Sequence, residues 1–258
     1  MDLGLDGRTA LVTGGAGRIG SVDCEVLARE GAEVAVVDVD GDSAEVVAEG
    51  IRDDGGDAFA VECDLTDRDE VAAAVEGVRE RTGGVDVLVN NAGIVDTVAR
   101  VGDFDDEKWD RDLEVNLTSA YNVTTEVFPA MCDRGWGRVI NMASIAGVGG
   151  NFAQLSYATT KAGMTGFGKT LALEGAKHGV TSNVLAPSIV VGALADLSPE
   201  ELEAFEPQYE RVRQATPMKK LGREEDVANL VAYLASDLAG YVTGQVIGVT
   251  GGADLFSY

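Results

Sequence analysis

The stretch that decides the fold is RTALVTGGAGRIG, residues 8–20. It joins a short run of apolar and β-branched residues directly to a glycine-rich turn, and the turn leads into the helical pattern RIGSVDCEVLAREG. In such a strand–turn–helix, glycines allow backbone N–H groups and the helix N-terminus to approach a pyrophosphate. A tight turn that binds nothing would have the same pattern, so the rest of the chain has to decide.

Short apolar runs alternate with longer segments whose apolar residues are spaced by three or four positions. After the first strand, the predicted strands are EVAVVD, AFAVEC, VDVLVN, GRVINMAS, GVTSNVLAP and GQVIGV. This alternation indicates a doubly wound parallel sheet of about seven strands with helices on both faces. No linker or repeat interrupts it, so residues 1–258 are predicted to form one α/β domain.

Composition narrows the class of protein. Hydrophobic residues make up 45% of the chain and charged residues 25%, which is typical of a soluble globular protein. No run of 18 apolar residues and no secretion signal is present, so a cytoplasmic location without a membrane partner is expected. The three cysteines lie far apart and His178 is the single histidine, which predicts reduced thiols and no metal site.

The charge is strongly acidic, with 44 acidic and 20 basic residues, a net charge of −24 and a pI near 4.2. Nucleic acid is a poor partner for such a chain because its phosphates would be repelled. The acids are spread through helical segments rather than gathered in a tail, which favours a solvated, self-repelling surface. A halophilic protein, adapted to salt that screens this repulsion, is our hypothesis.

Polar residues follow the predicted strands at the edge where a ligand binds in open α/β sheets. Asp38 ends the second strand, where an acid accepts hydrogen bonds from a ribose diol and repels a 2′-phosphate. Asp64 follows the third strand and is placed to meet an adenine amine. Asn90–Gly93 (NNAG) follows the fourth strand with two amides and a glycine. Together these features predict a dinucleotide site.

At this point a resemblance is clear. The motifs TGGAGRIG, NNAG, NLTS (116–119), Ser144 and YATTK (157–161) together resemble the short-chain dehydrogenase/reductase family, over nearly the whole chain. The resemblance implies a Rossmann-type fold and NAD or NADP as cofactor. It also implies a set of cofactor-binding residues, namely Gly14, Gly17, Arg18, Ile19, Gly20, Asp38, Asp64, Leu65, Asn91, Ala92, Gly93, Tyr157, Lys161, Pro187 and Val190.

The same resemblance implies the catalytic residues Asn116, Ser144, Tyr157 and Lys161. Tyr157 would be the general acid–base, and Lys161, one helical turn away, would lower its pKa and hold the nicotinamide ribose. Ser144 would hydrogen-bond the substrate oxygen, and Asn116 would hold a water that relays protons to Lys161. Taken alone, a tyrosine and a lysine at this spacing only share a helix face.

Three positions depart from the family pattern. Arg18 stands where a glycine is usual and can reach a phosphate, which leaves NADP open beside the NAD that Asp38 favours. Ser188 replaces a glycine after Pro187, and Gly192 replaces a threonine that usually contacts the carboxamide. The catalytic set is unaffected by these changes.

The loop SIAGVGGNFAQLSY resembles that of 3-oxoacyl-thioester reductases, which act on acetoacetyl-CoA or 3-oxoacyl-carrier-protein substrates. Ser144, Gln154 and Tyr157 are the candidate substrate residues, although Gln154 is equally well explained as a loop residue. Residues 189–216 are expected to form a lid that contains one amphipathic helix, LSPEELEAFEPQYERVRQ. The acidic chain favours a CoA thioester over an acidic carrier protein, unless Lys219, Lys220 and Arg223 compensate.

Two other functions stay open. An NAD-dependent dehydrogenase of a sugar, polyol or secondary alcohol would use the same residues, and Asp38 suits that direction. A non-enzymatic nucleotide sensor would not need the Ser144–Tyr157–Lys161 set, which is present. The resemblance also implies a homotetramer built by the Tyr157 helix and the C-terminal segment GQVIGVTGGADLFSY.

Overall fold

The computed structural model describes residues 2–95 and 97–255. Its strands are β1 (Thr9–Thr13), β2 (Glu33–Asp38), β3 (Asp57–Glu62), β4 (Val87–Asn90), β5 (Gly137–Met142), β6 (Val180–Pro187) and β7 (Val246–Val249). The last three residues of the C-terminal segment named above lie outside the described residues.

The α-helices are α1 (Arg18–Arg29), α2 (Gly41–Asp53), α3 (Arg68–Thr82), α4 (Asp106–Leu113), α5 (Ser119–Arg134), α6 (Ile145–Gly149), α7 (Leu155–Gly175), α8 (Pro199–Phe205), α9 (Pro207–Ala215) and α10 (Glu224–Ala235). A π-helical turn at Glu114–Thr118 joins α4 to α5, and 3₁₀ turns lie at Val101–Asp103, Ala176–His178, Gly192–Asp196 and Asp237–Ala239.

The strands form one parallel sheet in the order β3-β2-β1-β4-β5-β6-β7. From β1, the strands β2 and β3 extend the sheet in one direction. The chain then returns to the other side of β1, where β4 to β7 extend the sheet in the opposite direction. At such a switch point, the loops after β1 and β4 diverge to opposite faces of the sheet and leave a crevice between them. The predicted Rossmann-type α/β fold and all seven predicted strands are confirmed.

Each face of the sheet is covered by helices that bury its apolar side chains. Successive residues of β1 point to opposite faces, so Ala10 and Val12 pack in the cluster with α1, α2 and α10, whereas Leu11 packs with α3, α5 and α7. All three side chains are at most 2% exposed. Burial on both faces explains why these strands are continuous apolar runs rather than alternating ones.

Some of the acidic residues lie where they stabilise helices. Asp40, Asp67 and Asp105 cap α2, α3 and α4 by accepting hydrogen bonds from first-turn N–H groups. Each of these helices also carries acids in its first turn, next to the positive end of the helix dipole. Most other acids are exposed, as the spread of charge in the sequence predicts, whereas Asp23, Asp112 and Glu224 are buried.

The segment after β6 contains two helices, where one amphipathic helix is expected from the sequence. That prediction was wrong because α8 ends before Glu206, whose backbone is extended (φ −155°, ψ 94°) ahead of Pro207. The two helices enclose a small core of Val191, Leu202 and Leu221. The Gly222 carbonyl accepts from the Val191 N–H and the Gly222 N–H donates to the Ile189 carbonyl, so the excursion from the sheet closes at Gly222.

Across the described residues, no helix is long and apolar enough to cross a membrane.

Candidate active site

A cleft of about 940 Å³ opens at the carboxyl ends of the strands, at the switch point between β1 and β4. Most of the residues predicted from the sequence line it, namely Gly14, Gly17, Arg18, Ile19, Asp38, Asp64, Leu65, Asn91, Ala92, Gly93, Ser144, Tyr157, Lys161, Pro187 and Val190. Gly20, Asn116 and Gln154 are not among the described lining residues. The parallel topology thus gathers motifs that are far apart in the sequence.

The glycine-rich turn is packed tightly against the loop after β4. Gly14 has φ +61°, and a Cβ there would lie 2.9 Å from the Cα of Ala92. A Cβ on Gly20 would lie 2.1 Å from the carbonyl oxygen of Gly14, so this glycine brings α1 onto the turn without lining the cleft. The Asn91 amide donates to the carbonyls of Thr13 and Gly14, both at 3.1 Å.

The N-terminus of α1 lies at this turn. Unlike the N-termini of α2 to α4, it is not capped by an aspartate side chain. Its N-cap is Gly17, with no side-chain hydrogen bond and no acid in the first turn among the described residues. The first N–H groups of a helix need partners, and the helix dipole favours an anion there. A pyrophosphate would satisfy both requirements, so this end of α1 fits the dinucleotide.

Asp38 and Asp64 lie at the ends of β2 and β3, beside the turn. The Asp38 carboxylate accepts hydrogen bonds from the N–H groups of Ala16 (3.1 Å) and Asp40 (3.2 Å), which fixes it at the rim of the cleft. The Asp64 carboxylate accepts from the backbone and hydroxyl of Thr66 at 2.9 and 2.7 Å. Both acids are therefore held in place before any ligand binds.

Ser144, Tyr157 and Lys161 form the other end of the cleft. Ser144 begins α6 as its N-cap, and its hydroxyl accepts from the N–H of Ala146 at 3.1 Å. Tyr157 and Lys161 lie one turn apart on α7, and the Lys161 ammonium donates to the carbonyl of Met142 at 2.8 Å. Strand β5 and helix α7 thus bring a hydroxyl, a phenol and an ammonium together.

The pKa of Lys161 is lowered to about 8, because its ammonium is buried. The pKa of Tyr157 is raised by burial, and a hydrogen bond with Ser144 partly opposes the rise. Lys161 is not among the causes of this shift, so the prediction that Lys161 lowers the pKa of Tyr157 stays a prediction. Its ammonium lies 5.8 Å from the centre of the Tyr157 ring and binds Met142 instead. At neutral pH, Tyr157 is a protonated phenol.

Asn116 lies behind the cleft in the π-helical turn between α4 and α5. Its amide accepts from the Ile94 N–H at 2.6 Å and donates to the Ile94 carbonyl at 3.1 Å. Gly93 separates Asn116 from the cleft, since a Cβ on this glycine would lie 2.8 Å from the Asn116 amide oxygen and 3.2 Å from the Lys161 ammonium nitrogen. A side chain at position 93 would fill that space.

Gln154 is placed outside the cleft lining. It precedes α7, and its side-chain oxygen accepts from the Asn151 amide at 2.7 Å. Ala153 adopts φ +61°, and its carbonyl accepts from the Ala99 N–H. These local contacts favour the structural interpretation of Gln154 over the substrate one.

Several residues that the sequence did not single out contribute to the site. The Thr13 hydroxyl donates to Val89 and accepts from the N–H groups of Asn91 and Ala92, which ties β1 to the loop after β4. The Ser156 hydroxyl, next to Tyr157, donates to the buried Asp112 carboxylate. The motif TGG is the only sequence signal for Thr13. No sequence pattern indicates Asp112, because its contact with Ser156 joins α4 to α7, which are far apart in the sequence.

Taken together, these features fit a nicotinamide dinucleotide. Gly14 lets the turn pack against Ala92, and Gly93 lets the loop after β4 pass close to Asn116 and Lys161. The uncapped α1 can receive the pyrophosphate, Asp38 a ribose diol, and Lys161 a second ribose near Tyr157.

Comparison with known proteins gives the same result. The family model described as enoyl-(acyl carrier protein) reductase matches residues 15–254. A 3-oxoacyl-(acyl-carrier-protein) reductase FabG from Aquifex aeolicus is 37% identical over 255 residues, covering 98% of this chain and 99% of that protein. The chain belongs to the short-chain dehydrogenase/reductase family. It is an NAD(P)-dependent dehydrogenase/reductase.

Two further relatives show how diverse this dehydrogenase/reductase family is. Nodulation protein G of Azospirillum brasilense is 38% identical over 246 residues, covering 95% of this chain and 97% of that protein. A crystal structure from Beutenbergia cavernae, assigned as an NAD(P)-dependent gluconate 5-dehydrogenase and containing NADP at low occupancy, superposes with a TM-score of 0.89 at 35% identity. It covers 99% of this chain and 100% of that one.

Proposed function

We propose that this enzyme reduces a 3-oxoacyl thioester, of the acetoacetyl-CoA type, to the 3-hydroxyacyl thioester. The observation that carries the proposal is the position of Tyr157 beside Ser144 and Lys161 in the cleft, where burial raises the pKa of the phenol and so favours the proton-donating form that reduction requires. Apolar side chains at the substrate end of the cleft, among them Ile94, Val95, Ile189 and Val191, suit an acyl group. Similarity to the FabG relative supports the same substrate class.

In the proposed reaction, the nicotinamide cofactor supplies the hydride that reaches the carbonyl carbon. The hydroxyls of Ser144 and Tyr157 hydrogen-bond the carbonyl oxygen and orient it, and the Tyr157 hydroxyl gives its proton to that oxygen as the C=O bond becomes C–OH. The Lys161 ammonium stabilises the phenolate that remains. Tyr157 regains its proton from Lys161, and a water held by Asn116 would relay protons to Lys161.

The protonation state of Lys161 predicts how the reaction depends on pH. Lys161 is charged below its pKa of about 8 and neutral above it, so the phenolate loses its nearest cation as pH rises. We expect kcat for reduction to fall as pH rises through about 8. The measurement is initial rate against pH from 6 to 10. In Lys161→Arg, whose guanidinium stays charged, the residual rate is expected to lack this step; a step at the same pH would contradict our assignment.

Oxidation of a sugar acid, sugar or polyol by NAD is the second candidate. The structural likeness to the Beutenbergia cavernae protein favours a sugar-acid substrate, and Asp38 favours NAD because an acid at that position disfavours a 2′-phosphate. For the cofactor itself, we propose NAD on the basis of Asp38, and the test below compares it with NADP.

The acidic surface bears on the choice of thioester. A net charge of −24 opposes docking of an acidic carrier protein, whereas CoA needs only one or two basic contacts. Molar salt would screen either repulsion. We therefore propose a CoA thioester as substrate and an enzyme adapted to high salt. By family resemblance alone, we also propose a homotetramer, and we propose that residues 189–216 form a lid over the cleft.

The test is the initial rate of acetoacetyl-CoA reduction with NADH and with NADPH, in dilute buffer and in molar KCl. We expect turnover with NADH, faster in KCl. Carrier-protein-bound acetoacetate and NAD with gluconate are the comparison substrates. Turnover with gluconate and none with either thioester would replace the proposal with the second candidate, and an equal rate in both buffers would contradict adaptation to salt.

A further inference from the structure

Glu224 is a buried acid at a junction of three elements. It is the first residue of α10 and only 4% exposed. Its Oε1 atom is buried and accepts no hydrogen bond from the described residues, although the Arg18 Nε atom lies 3.2 Å away. A buried carboxylate needs a cation beside it to offset lost hydration, and Arg18 is the cation that this chain supplies.

Arg18 carries this contact into the cofactor end of the cleft. It is the first residue of α1, directly after the glycine-rich turn, and it lines the cleft with a side chain that is 62% exposed. Within residues 2–95 and 97–255, its contact with Glu224 is the only ion pair it makes, and its guanidinium donates no hydrogen bond. Its two terminal nitrogens are therefore available to an anion.

The surroundings of Glu224 hold the carboxylate in a fixed position. Helix α10 packs along α1, and Gly192, in the segment after β6, lies close to the carboxylate. Gly192 has φ +56°, and a Cβ there would lie 3.0 Å from Glu224 Oε2. The glycine at this position, where the family usually has threonine, thus makes room for the carboxylate.

We propose that Glu224 is a positioning residue that holds the Arg18 guanidinium at the glycine-rich turn, where it binds the pyrophosphate of the cofactor. A long arginine side chain loses rotamer freedom on binding a ligand, and an ion pair formed in advance removes part of that loss. Glu224 touches neither substrate nor cofactor in this role. The inference rests on cofactor binding and not on the substrate proposed above.

The test compares dissociation constants for NADH and NADPH, measured by fluorescence titration without substrate. Glu224→Gln keeps the shape of the side chain and removes its charge, and we expect it to weaken NADH binding about tenfold, as does Arg18→Ala. Because both changes remove one interaction, the double variant is expected to bind no more weakly than Arg18→Ala alone. Glu225→Gln, an exposed change of the same charge one residue along, is the control and should bind normally.

The two cofactors identify the phosphate. Equal weakening of NADH and NADPH binding supports a contact between Arg18 and the pyrophosphate. Weakening confined to NADPH binding would overturn that contact and place Arg18 at the 2′-phosphate. Unchanged NADH binding in Glu224→Gln, or additive losses in the double variant, would overturn the positioning role. If Glu224→Gln fails to fold, Gly192→Ala presses on the same carboxylate and should weaken NADH binding, with no further loss when it is combined with Arg18→Ala.

Discussion

Replacing Tyr157 with phenylalanine is expected to lower kcat for carbonyl reduction by about 10³–10⁴-fold, with little change in cofactor binding. The substitution removes one oxygen from a buried, protonated phenol that hydrogen-bonds Ser144. Without that hydroxyl, no group in the described cleft combines a transferable proton with a position beside both Ser144 and Lys161. Removing a general acid has an effect of this size because the alkoxide must then form without a proton donor.

The measurements are single-turnover rates with NADH and a titration of NADH binding. Tyr209→Phe is the matched control. Tyr209 also lines the cleft, but it lies on α9, whereas Lys161 lies on α7. We expect the control to change kcat less than tenfold. A Tyr157→Phe enzyme that keeps more than a tenth of the normal rate would refute the assignment of Tyr157 as the proton donor.

Most of the fold and the gathering of the site could be predicted from the sequence, because local rules decide them. Apolar runs that are buried on both faces identify the parallel strands, and glycines 14, 17 and 20 identify the turn. Once the strands are parallel, the residues after β1, β2, β4 and β5 must share one edge of the sheet. Asp38, Asn91 and Ser144 therefore meet in the cleft although the sequence separates them widely.

What the sequence could not predict depends on the directions of side chains and on burial. Lys161 and Tyr157 share a helix face, yet Lys161 binds the Met142 carbonyl and burial dominates the pKa of Tyr157. Likewise, Gln154 is close to Tyr157 in sequence, but its side chain turns to Asn151. Spacing along a helix determines which residues are neighbours; it does not determine which partner each polar atom takes.

Asp23 is another residue whose state only the structure reveals. It lies on α1, is 0% exposed, and neither of its carboxylate oxygens has a hydrogen-bond partner among the described residues. Burial without a partner raises its pKa well above the ordinary value of 3.8. Helix α1 also carries Arg18 at its start, so Asp23 lies in the scaffold of the cofactor site rather than in the cleft.

The sign of the effect on stability follows from proton binding. In the unfolded chain Asp23 loses its proton near its ordinary pKa, whereas in the folded protein it keeps it to a higher pH. Between those two values the folded state binds more protons, so the free energy of unfolding decreases as pH rises. With respect to Asp23, the free energy of unfolding is therefore highest below about pH 3.8, where the carboxyl is protonated in both states. It decreases as pH rises, until Asp23 has lost its proton in the folded protein as well.

Asp23→Asn is accordingly expected to raise the free energy of unfolding at pH 7.5, and with it the Tm, by more than Glu49→Gln does. An amide has nearly the shape of the protonated carboxyl and needs no proton. The gain should shrink as pH falls toward 4.

Glu49→Gln, an exposed change of the same charge, corrects for the lower net repulsion. Thermal unfolding of both variants in molar KCl at several pH values is the measurement. A gain equal to that of Glu49→Gln, or one that does not depend on pH, would show that Asp23 is ionised and solvated in the folded protein.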